Sequence, residues 1–407
     1  MCMVPGVQFS FEGCGVNGFP SASAITGAPN DREVTKAHDI GLRMVRNEEG
    51  EPGYEVIVGG GLGRTPMVGK TVRDFLPKAD LLPYLEAILQ VYNLSGRRDN
   101  KYKARIKILV KALTPEVFAE KVNAEWAHTK DGPATLTQQE LDRVAGHFSA
   151  PAYEQFSGDD ADYLAKREAE KGFNNWALRN VHAHKVPGYA AVTLSLKPTA
   201  VAPGDADDKQ LDAIADLADQ FSFGELRVTH QQNLVLADVR QSDLYELWQA
   251  CRKHGFATPN IGLLTDIICC PGGDFCALAN AKSIPIAEAI QRTFDDLDYL
   301  HDIGDLDLNI SGCMNACGHH HVGHIGVLGV DKKGQEFYQV SIGGNSGRDA
   351  SIGQILGPSF SAEDMPSVMT KVIDVYIENR TPEEQFLDTF KRIGMAPFKE
   401  RVYAAAN

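Results

Sequence analysis

From residue 25 onward, apolar positions recur along the chain with the spacing of regular secondary structure. Residues 54–58 are typical of a strand that ends in a run of glycines. Residues 81–93 carry apolar side chains on one broad face, which predicts a helix. The same analysis predicts strands at 189–196, 224–229, 233–239 and near 306–310, 325–330 and 337–342, and helices at 207–220, 242–254, 365–379 and 382–393. Because strands and helices are intermixed without strict alternation, the predicted class is α+β.

Changes in pattern divide the chain into five segments. Residues 1–24 show neither a helical nor a strand period and are expected to be irregular. Residues 25–128 form a first structured segment. Residues 129–176 are polar and contain turn signals and a charge run, so we expect a linker with one or two exposed helices. An α+β segment at 177–262 and a cysteine-bearing segment at 263–400 follow.

A repeat of large period connects the first structured segment with the last one. Residues 25–30 (Ile-Thr-Gly-Ala-Pro-Asn) match residues 310–315 (Ile-Ser-Gly-Cys-Met-Asn) at an offset of 285. After one deletion, Tyr54 and the glycines behind it match Tyr338 and its glycines at an offset of 284. Several matches in register predict that the chain contains a duplicated unit.

The two copies differ in their chemistry. Ala28 and Arg32 stand where Cys313 and Cys317 stand in the second copy, so the first copy is expected to be architectural. The second copy is preceded by an α+β segment, whereas only 24 irregular residues precede the first. By symmetry we expect the first copy to lack its own α+β segment. The start of the chain, which has no Lys or Arg before Arg32, is expected to reflect a truncated or frame-shifted reading.

Composition limits the function classes. The 407 residues include 54 acidic and 40 basic side chains and have a net charge of −14, which argues against non-specific nucleic-acid binding and against binding to an anionic membrane. No apolar run reaches the length of a membrane span, and no basic region followed by an apolar stretch marks a signal peptide. We therefore expect a soluble, cytoplasmic protein.

Eight cysteines are too few for a disulfide scaffold, and five of them fall within residues 269–317. Cys270 and Cys276 form C-x5-C, and Cys313 and Cys317 form C-x3-C. Four thiolates are the full ligand set of a [4Fe–4S] cluster. A zinc site is the competing possibility, although five intervening residues are wide for a zinc knuckle. Unrelated buried cysteines are the third possibility. The x5 spacing leaves Cys269 as an adjacent free thiol.

Glycines and the remaining cysteines complete this prediction. Gly272, Gly273 and Gly312 let the backbone approach a bulky cofactor. Cys251 lies in a helical pattern and is interpreted as a small buried hydrophobe, as are the scattered Cys2 and Cys14.

The stretch 265–344 resembles the cluster-binding half of the siroheme-containing nitrite/sulfite reductase family. The matching strings are Cys-Pro-Gly-Gly-Asp-Phe-Cys at 270–276 and Asn-Ile-Ser-Gly-Cys-Met-Asn-Ala-Cys-Gly-His-His-His at 309–321. Residues 224–233 (Gly-Glu-Leu-Arg-Val-Thr-His-Gln-Gln-Asn) resemble the strand–turn signature of its ferredoxin-like half. Residues 59–66 and 97–107 resemble the siroheme-type domain of its first copy. The resemblance covers roughly residues 25–400.

This resemblance implies a specific architecture and cofactor set. The fold would be a pseudo-duplicated nitrite/sulfite reductase architecture, with residues 177–262 as the ferredoxin-like half and two siroheme/cluster-type domains, of which the first, 25–128, is vestigial. Cys270, Cys276, Cys313 and Cys317 would hold the [4Fe–4S] cluster. Cys317 would also bridge to the iron of siroheme, and Asn315 would contact that cofactor.

The resemblance also implies a reaction. The expected activity is the six-electron, assimilatory reduction of sulfite to sulfide, with the reduction of nitrite to ammonia as the alternative. No flavin or nicotinamide fingerprint is visible in the sequence, so electrons would come from a donor protein, either ferredoxin or a flavoprotein reductase.

The family's substrate-binding Arg and Lys residues are expected to lie outside this sequence. A partner chain would then have to supply them, or the chain would be a non-catalytic, cluster-bearing fragment and a poor catalyst alone.

Three further motifs carry weaker predictions. The glycine-rich loop 59–64 does not fit a nucleotide-binding pattern and is interpreted as a tight turn or an anion-facing loop. The histidines at 319–321 and 324 are interpreted as heme-carboxylate contacts or solvated loop positions rather than as a separate metal site. The basic run at 97–107 is interpreted as a solvated helix face, with a contact to siroheme carboxylates or to an acidic electron donor as the alternative.

Overall fold

The computed structural model describes residues 9–10, 22–28, 30–100 and 103–404, in which the strands form three sheets. The chain divides into two compact units. The first contains Met1–Ala150 with Ser346–Ala350, and the second contains Pro151–Asn345 with Ser351–Asn407. Among the described helices, none is both long enough and apolar enough to cross a bilayer.

A five-stranded sheet and several helices build the first unit. The strands are β1 (Phe9–Ser10), β2 (Ala22–Thr26), β3 (Ile40–Arg46), β4 (Pro52–Val58) and β5 (Lys70–Pro77), arranged in this order. The helices are α1 (Leu81–Ser95), α2 (Ile106–Leu113), α3 (Pro115–Thr129) and α4 (Gln138–Ala145). The predicted helix 81–93 is confirmed as α1. Its apolar face buries Tyr84 and Ile88 completely, because Phe118 of α3 and the strands cover it.

The expected irregular structure of residues 1–24 is wrong where the structure describes them. β1 pairs antiparallel with β2, and β2 starts at Ala22 instead of at residue 25. Ser23 and Ala24 are buried but small, so they produce no visible alternation of large apolar and polar residues. Their strand conformation comes from pairing with β3, a partner distant in sequence. The rest of 1–21 lies outside the described residues.

The second unit begins with an antiparallel sheet in the order β6-β7-β9-β8 and its covering helices. The elements are α5 (Ala161–Ala169), α6 (Lys171–Asn180), β6 (Val181–Ala183), β7 (Tyr189–Leu194), α7 (Asp208–Phe221), β8 (Leu226–Val228), β9 (Leu234–Arg240) and α8 (Leu244–His254). The side chains of Asp207 and Gln210 form a reciprocal capping box that starts α7. The predicted linker 129–176 ends too late, because α6 packs Phe173 and Trp176 into this core.

The cysteine-bearing part of the second unit contains the third sheet, in the order β10-β11-β12-β13-β14. Its core is apolar and lies between this sheet and α10, α11 and α12. The helix predicted at 382–393 begins at Phe386 in the structure, where it is α13 (Phe386–Ile393). The elements are β10 (Ile268–Cys269), α9 (Gly272–Phe275), α10 (Ile284–Thr293), α11 (Leu297–Ile303), β11 (Leu308–Ser311), β12 (Ile325–Lys332), β13 (Gln335–Ile342), β14 (Gln354–Ile355), α12 (Met365–Asn379), α13 (Phe386–Ile393) and α14 (Ala396–Tyr403).

The internal repeat predicted from the sequence is confirmed by the register of the first and third sheets. Ile25 of β2 pairs with Leu42 of β3 in parallel, and Ile310 of β11 pairs with Val327 of β12 in the same way. Each residue of the second pair stands 285 positions after its counterpart. In both sheets the next two pairings are antiparallel, but β1 runs antiparallel to β2 whereas β10 runs parallel to β11.

The loops of the two repeats also make matching hydrogen bonds. Gly69 N–H donates to the carbonyl of Lys36 at 2.7 Å, and Gly353 N–H donates to the carbonyl of His321 at 2.8 Å. These pairs differ by 284 and 285 positions. The duplication therefore extends beyond the strands into the turns that surround the cysteines.

Candidate metal centre

Hydrogen bonds from two backbone N–H groups hold the two cysteine motifs together at the ends of β10 and β11. Cys270 N–H donates to the carbonyl of Ile310 at 3.1 Å, and Gly312 N–H donates to the sulfur of Cys270 at 3.0 Å. Parallel pairing of the two strands brings their carboxyl ends, and the cysteines that follow them, to one edge of the sheet. The first thiol of C-x5-C thus contacts the loop that carries C-x3-C.

Two glycines permit this close contact. A Cβ added to Gly312 would lie 2.6 Å from the carbonyl oxygen of Ala281 and 2.8 Å from the Cα of Gly272. Gly272 itself has a φ of +59°, and a Cβ there would lie 2.4 Å from the backbone nitrogen of Ser283. A side chain at either position would push the two cysteine loops apart.

The four predicted cluster cysteines lie close enough to influence one another electrostatically. Partial burial raises the pKa of the Cys317 thiol, and the charges of the other three cysteines raise it further. Cys313 is buried, Cys270 and Cys276 are half-buried, and Cys317 is exposed. Among the described residues, no group of three or more His, Cys, Asp or Glu side chains is arranged to hold a single metal ion. The assignment of these thiols as cluster ligands is therefore a proposal.

Cys269, the last residue of β10, and Cys270, the residue that follows it, differ in burial. The side chain of Cys269 is 3% exposed and belongs to the apolar core of this half, and burial strongly raises the pKa of its thiol. Its neighbour Cys270 is half-buried, and its sulfur lies 3.5 Å from the hydroxyl of Ser283. Ser283 gives no signal in the sequence, because it is a lone serine outside the cysteine motifs.

The turn between Cys313 and Cys317 adopts an uncommon backbone conformation. Ala316 has a φ of +59° and is 2% exposed, and its N–H donates to the carbonyl of Cys313 at 3.2 Å. Asn315, the predicted siroheme contact, is exposed. Apolar side chains around the site are also exposed: Phe275 at 78%, Leu278 at 72% and Met314 at 40%.

Comparison with known proteins decides the family. The model described as "Nitrite and sulphite reductase 4Fe-4S domain" matches residues 21–130 and 263–407, and the model described as "Nitrite/Sulfite reductase ferredoxin-like half domain" matches 175–254. The chain belongs to the nitrite and sulfite reductase family. The first model matches each repeat once. Family membership implies a [4Fe–4S] cluster and siroheme. Four cysteine thiols on two loops joined by the Gly312–Cys270 hydrogen bond are a donor set that fits the cluster.

Curated relatives have modest identity. "Sulfite reductase [ferredoxin] 1" of Mycolicibacterium paratuberculosis is 25% identical over 363 residues, which are 86% of this chain and 58% of the relative. "Assimilatory ferredoxin-dependent nitrite reductase" of Haloferax mediterranei is 25% identical over 376 residues, 89% of this chain and 59% of the relative. The chain thus spans less than two thirds of these relatives' length.

One solved structure supports the fold. The structure of the Mycobacterium tuberculosis NirA protein superposes with a TM-score of 0.66 at 23% identity, and the match covers 89% of this chain and 61% of that one. The α+β class is thereby confirmed. At this identity the similarity concerns the fold alone.

The histidine run does not form a set of solvated loop positions, because one of its members is buried. His320 is 2% exposed, and among the described residues neither of its ring nitrogens has a hydrogen-bond partner. Burial is the largest cause that lowers the pKa of His320, and together with the neighbouring His321 and His319 it brings the pKa to about 3. His324 instead accepts the N–H of Asp307 at its Nδ1. The expected contacts with heme carboxylates stay a prediction.

The basic run 97–107 is not a solvated helix face, because most of it precedes α2. Arg97 forms an exposed ion pair with Asp99. Arg105 forms two hydrogen bonds with the buried carboxylate of Asp39, at 2.9 and 2.6 Å. Lys107 is inside α2 and buried. Lys101 lies outside the described residues.

The glycine-rich loop 59–65 faces a cation. The ammonium of Lys107 donates to the carbonyls of Gly61, Leu62 and Thr65 at 3.1, 2.9 and 2.7 Å. Reciprocal backbone hydrogen bonds between Gly61 and Met67 close this loop. The interpretation as a tight turn or an anion-facing loop stays a prediction. Cys251 is buried as predicted, and burial raises the pKa of its thiol to about 12. Cys2 and Cys14 lie outside the described residues.

Proposed function

We propose that this chain carries the cluster and siroheme centre of a sulfite reductase. Cys270, Cys276, Cys313 and Cys317 would hold the [4Fe–4S] cluster, and Cys317 would also face the siroheme iron, with Asn315 beside it. The observation that carries the proposal is the hydrogen bond from Gly312 N–H to the Cys270 sulfur, which joins the two cysteine motifs. When bound, the two cofactors supply single electrons for a multi-electron reduction.

The chain's own residues would perform three tasks at this centre. The N–H of Gly312 donates to a ligand sulfur, and such hydrogen bonds stabilise the negative charge of a thiolate and tune cluster potential. Gly272 allows the loops to pack closely. Cys317 is the exposed thiol of the four, which suits a ligand that must also reach a second cofactor. The exposed Met314 would provide apolar surface beside it.

We assign sulfite as the substrate and ferredoxin as the electron donor, and the reaction would be the six-electron reduction of sulfite to sulfide. Two of the relatives are named ferredoxin sulfite reductases, which supports this assignment. Nitrite reduction to ammonia is the second candidate, because other relatives at equal identity are named ferredoxin-dependent nitrite reductases. A flavoprotein reductase is the alternative donor.

The domain assignment is part of the same proposal. Residues 25–128 would be the siroheme-type domain without cluster cysteines, residues 177–262 the ferredoxin-like half, and residues 263–400 the cluster- and siroheme-binding domain. Three apolar cores support it, although the core of the ferredoxin-like half also includes Phe173 and Trp176, which precede residue 177.

Spectroscopy of the full chain tests the proposed centre. The protein is purified without oxygen, reconstituted with iron, sulfide and siroheme, and examined by absorption and by EPR after reduction. We expect siroheme and [4Fe–4S] signals in the wild type, loss of the cluster in Cys276→Ser and Cys313→Ser, and no change in the control Cys251→Ser. A colourless protein that retains zinc would overturn the proposal.

The substrate assignment is tested on the same preparation. Sulfite and nitrite are offered separately at equal concentration with a chemical electron donor, and sulfide and ammonia are measured. A larger kcat/KM for sulfite supports the assignment. A larger value for nitrite would transfer it to nitrite.

A further inference from the structure

The turn that connects β8 to β9 contacts the segment that leads into Cys270. Two of its last three residues make this contact directly, and the third, Gln231, binds Lys197, whose ammonium also donates to Asp266. The carbonyl of Gln231 accepts from the ammonium of Lys197, the side chain of Gln232 binds the backbone of Cys269, and the side chain of Asn233 donates to Asp266 at 3.0 Å. The ferredoxin-like half thus contacts the cluster-bearing half at the residues directly before its first cysteine.

Gln232 makes the most specific of these contacts. Its Oε1 accepts the N–H of Cys269 at 2.8 Å, and its Nε2 donates to the carbonyl of Cys269, also at 2.8 Å. β10 is the edge strand of its sheet, and Cys270 N–H already points to β11. The backbone groups of Cys269 therefore point to the open side of the strand. One side-chain amide satisfies both of them, as a neighbouring strand would.

The backbone of Gln232 indicates that this contact has a role. Its φ of +58° lies in the left-handed region, which glycine and asparagine adopt more readily than glutamine. Strained residues persist where the surrounding structure holds them, and they concentrate at functional sites. A Cβ added to Gly204 would lie 2.8 Å from the Cβ of Gln232, so this neighbour must also be small.

A buried ion pair between Lys197 and Asp266 holds the start of the segment that leads into Cys270. Lys197 is 1% exposed, and its ammonium donates to the Asp266 carboxylate at 2.6 Å. The second carboxylate oxygen of Asp266 accepts the N–H of Gly262 at 2.9 Å. Asp266 is thus held four residues before Cys270, and Gln232 holds the residue directly before it.

We propose that Gln232 is a positioning residue for the iron–sulfur cluster. By clamping the peptide groups of Cys269, it keeps the Cys270 sulfur on the Gly312 N–H. The inference rests on the proposed function, because it assumes that Cys270 is a cluster ligand. A hydrogen bond to a ligand sulfur stabilises the more negative, reduced cluster, so loss of the clamp should lower the cluster's reduction potential.

Three variants of the full, reconstituted chain test this role. Gln232→Leu removes both hydrogen bonds, Gln232→Glu keeps the acceptor but loses the donor, and Gln231→Leu is the matched control next to it. The measurements are the midpoint potential by EPR-monitored titration, the rate of cluster loss to a chelator, and amide hydrogen exchange of the peptide spanning 266–270.

We expect Gln232→Leu to lower the midpoint potential, to lose its cluster about 10- to 100-fold faster and to exchange the Cys269 amide faster. Gln232→Glu should lie between this variant and the wild type, and Gln231→Leu should match the wild type. Where Gln232→Leu does not fold, Gln232→Gly serves, because glycine accepts the left-handed backbone without strain.

The measurements distinguish a failure of the positioning role of Gln232 from a failure of the proposed function. If the wild type assembles the cluster and the Gln232 variants keep its potential, its chelator rate and its amide exchange, the positioning role is refuted while the proposed function stands. If the wild type assembles no cluster under conditions that reconstitute a known relative, the proposed function fails, and the positioning role fails with it.

Discussion

The carbonyl oxygens of Thr35 and His320 occupy equivalent positions in the two repeats, 285 residues apart. Each lies against a glycine six residues later: a Cβ added to Gly41 would be 2.4 Å from the Thr35 oxygen, and a Cβ added to Gly326 would be 1.9 Å from the His320 oxygen. Just before them, Val34 and His319 share a left-handed backbone, with φ of 49° and 55°. The backbone turn is the same with cysteines and without them.

What stabilises this turn differs between the repeats. In the first, the Asp31 carboxylate accepts the Thr35 hydroxyl at 2.6 Å and its N–H at 3.0 Å. In the second, Ala316 stands in place of Asp31, and within the described part of the chain the ring of His320 has no hydrogen-bond partner. The repeat without cysteines is therefore closed by a carboxylate at the position where the other repeat carries its cysteine turn.

Replacing the buried glycines should destabilise both repeats. Gly326→Ala and Gly41→Ala place a methyl group on a backbone carbonyl that cannot move without distorting the turn, so we expect losses of about 1–3 kcal/mol in the free energy of unfolding. Urea denaturation followed by circular dichroism measures the effect. Gly158→Ala is the control, because a Cβ there meets nothing within 4 Å. An unchanged midpoint for Gly326→Ala would contradict the described packing.

Substitution of Cys270 and substitution of its neighbour Cys269 should have different effects on cluster assembly. Cys270→Ser should abolish cluster assembly and lower the yield of folded protein, because metal-binding energy contributes to folding. Cys269→Ser should keep the cluster, since that thiol is buried in the apolar core and is not one of the predicted ligands. Iron and sulfide content of the purified variants is the measurement. Retention of the cluster in Cys270→Ser with its loss in Cys269→Ser would show that the register of the ligands is wrong.

Acid should destabilise the protein through His320. Its pKa is about 3 in the folded chain and about 6.5 when unfolded, so between these values the unfolded chain binds more protons. Stability should therefore fall as the pH drops below 6.5, by about 1.4 kcal/mol per pH unit from this group. His320→Leu should remove that part of the slope. Denaturation at pH 7.5 and 5.5 measures it, and equal slopes for the two proteins would refute the prediction.

Replacing one partner of the buried Lys197–Asp266 ion pair should lower the free energy of unfolding more than replacing both partners. Lys197→Met leaves the Asp266 carboxylate buried without its cation, which we expect to cost about 3–5 kcal/mol. In the double variant Lys197→Met/Asp266→Asn the amide keeps an acceptor and carries no charge, so part of the loss should be recovered. A double-mutant cycle from urea unfolding gives the coupling energy. Additive effects of the two substitutions would show that the pair is not coupled.

Features that depend on local spacing follow from the amino-acid sequence without knowledge of the fold. Amphipathic periodicity placed α1 and α12, and motif spacing separated Cys270 from Cys269 as the candidate ligand. The offset of 285 residues between Ile25 and Ile310 identified a duplication that the sheet register confirms. Such features need only neighbouring residues or a comparison of the chain with itself, so they can be read without knowing which distant segments meet.

Tertiary structure alone decided the features that depend on distant partners. β2 begins at Ala22 because β3 pairs with it, Lys107 is buried because loop carbonyls surround its ammonium, and His320 is buried by packing. Gln232 was visible only as part of a motif, and its clamp on Cys269 spans 37 residues. Burial and hydrogen bonding of a side chain are set by whatever the fold places against it, and local sequence does not encode that neighbour.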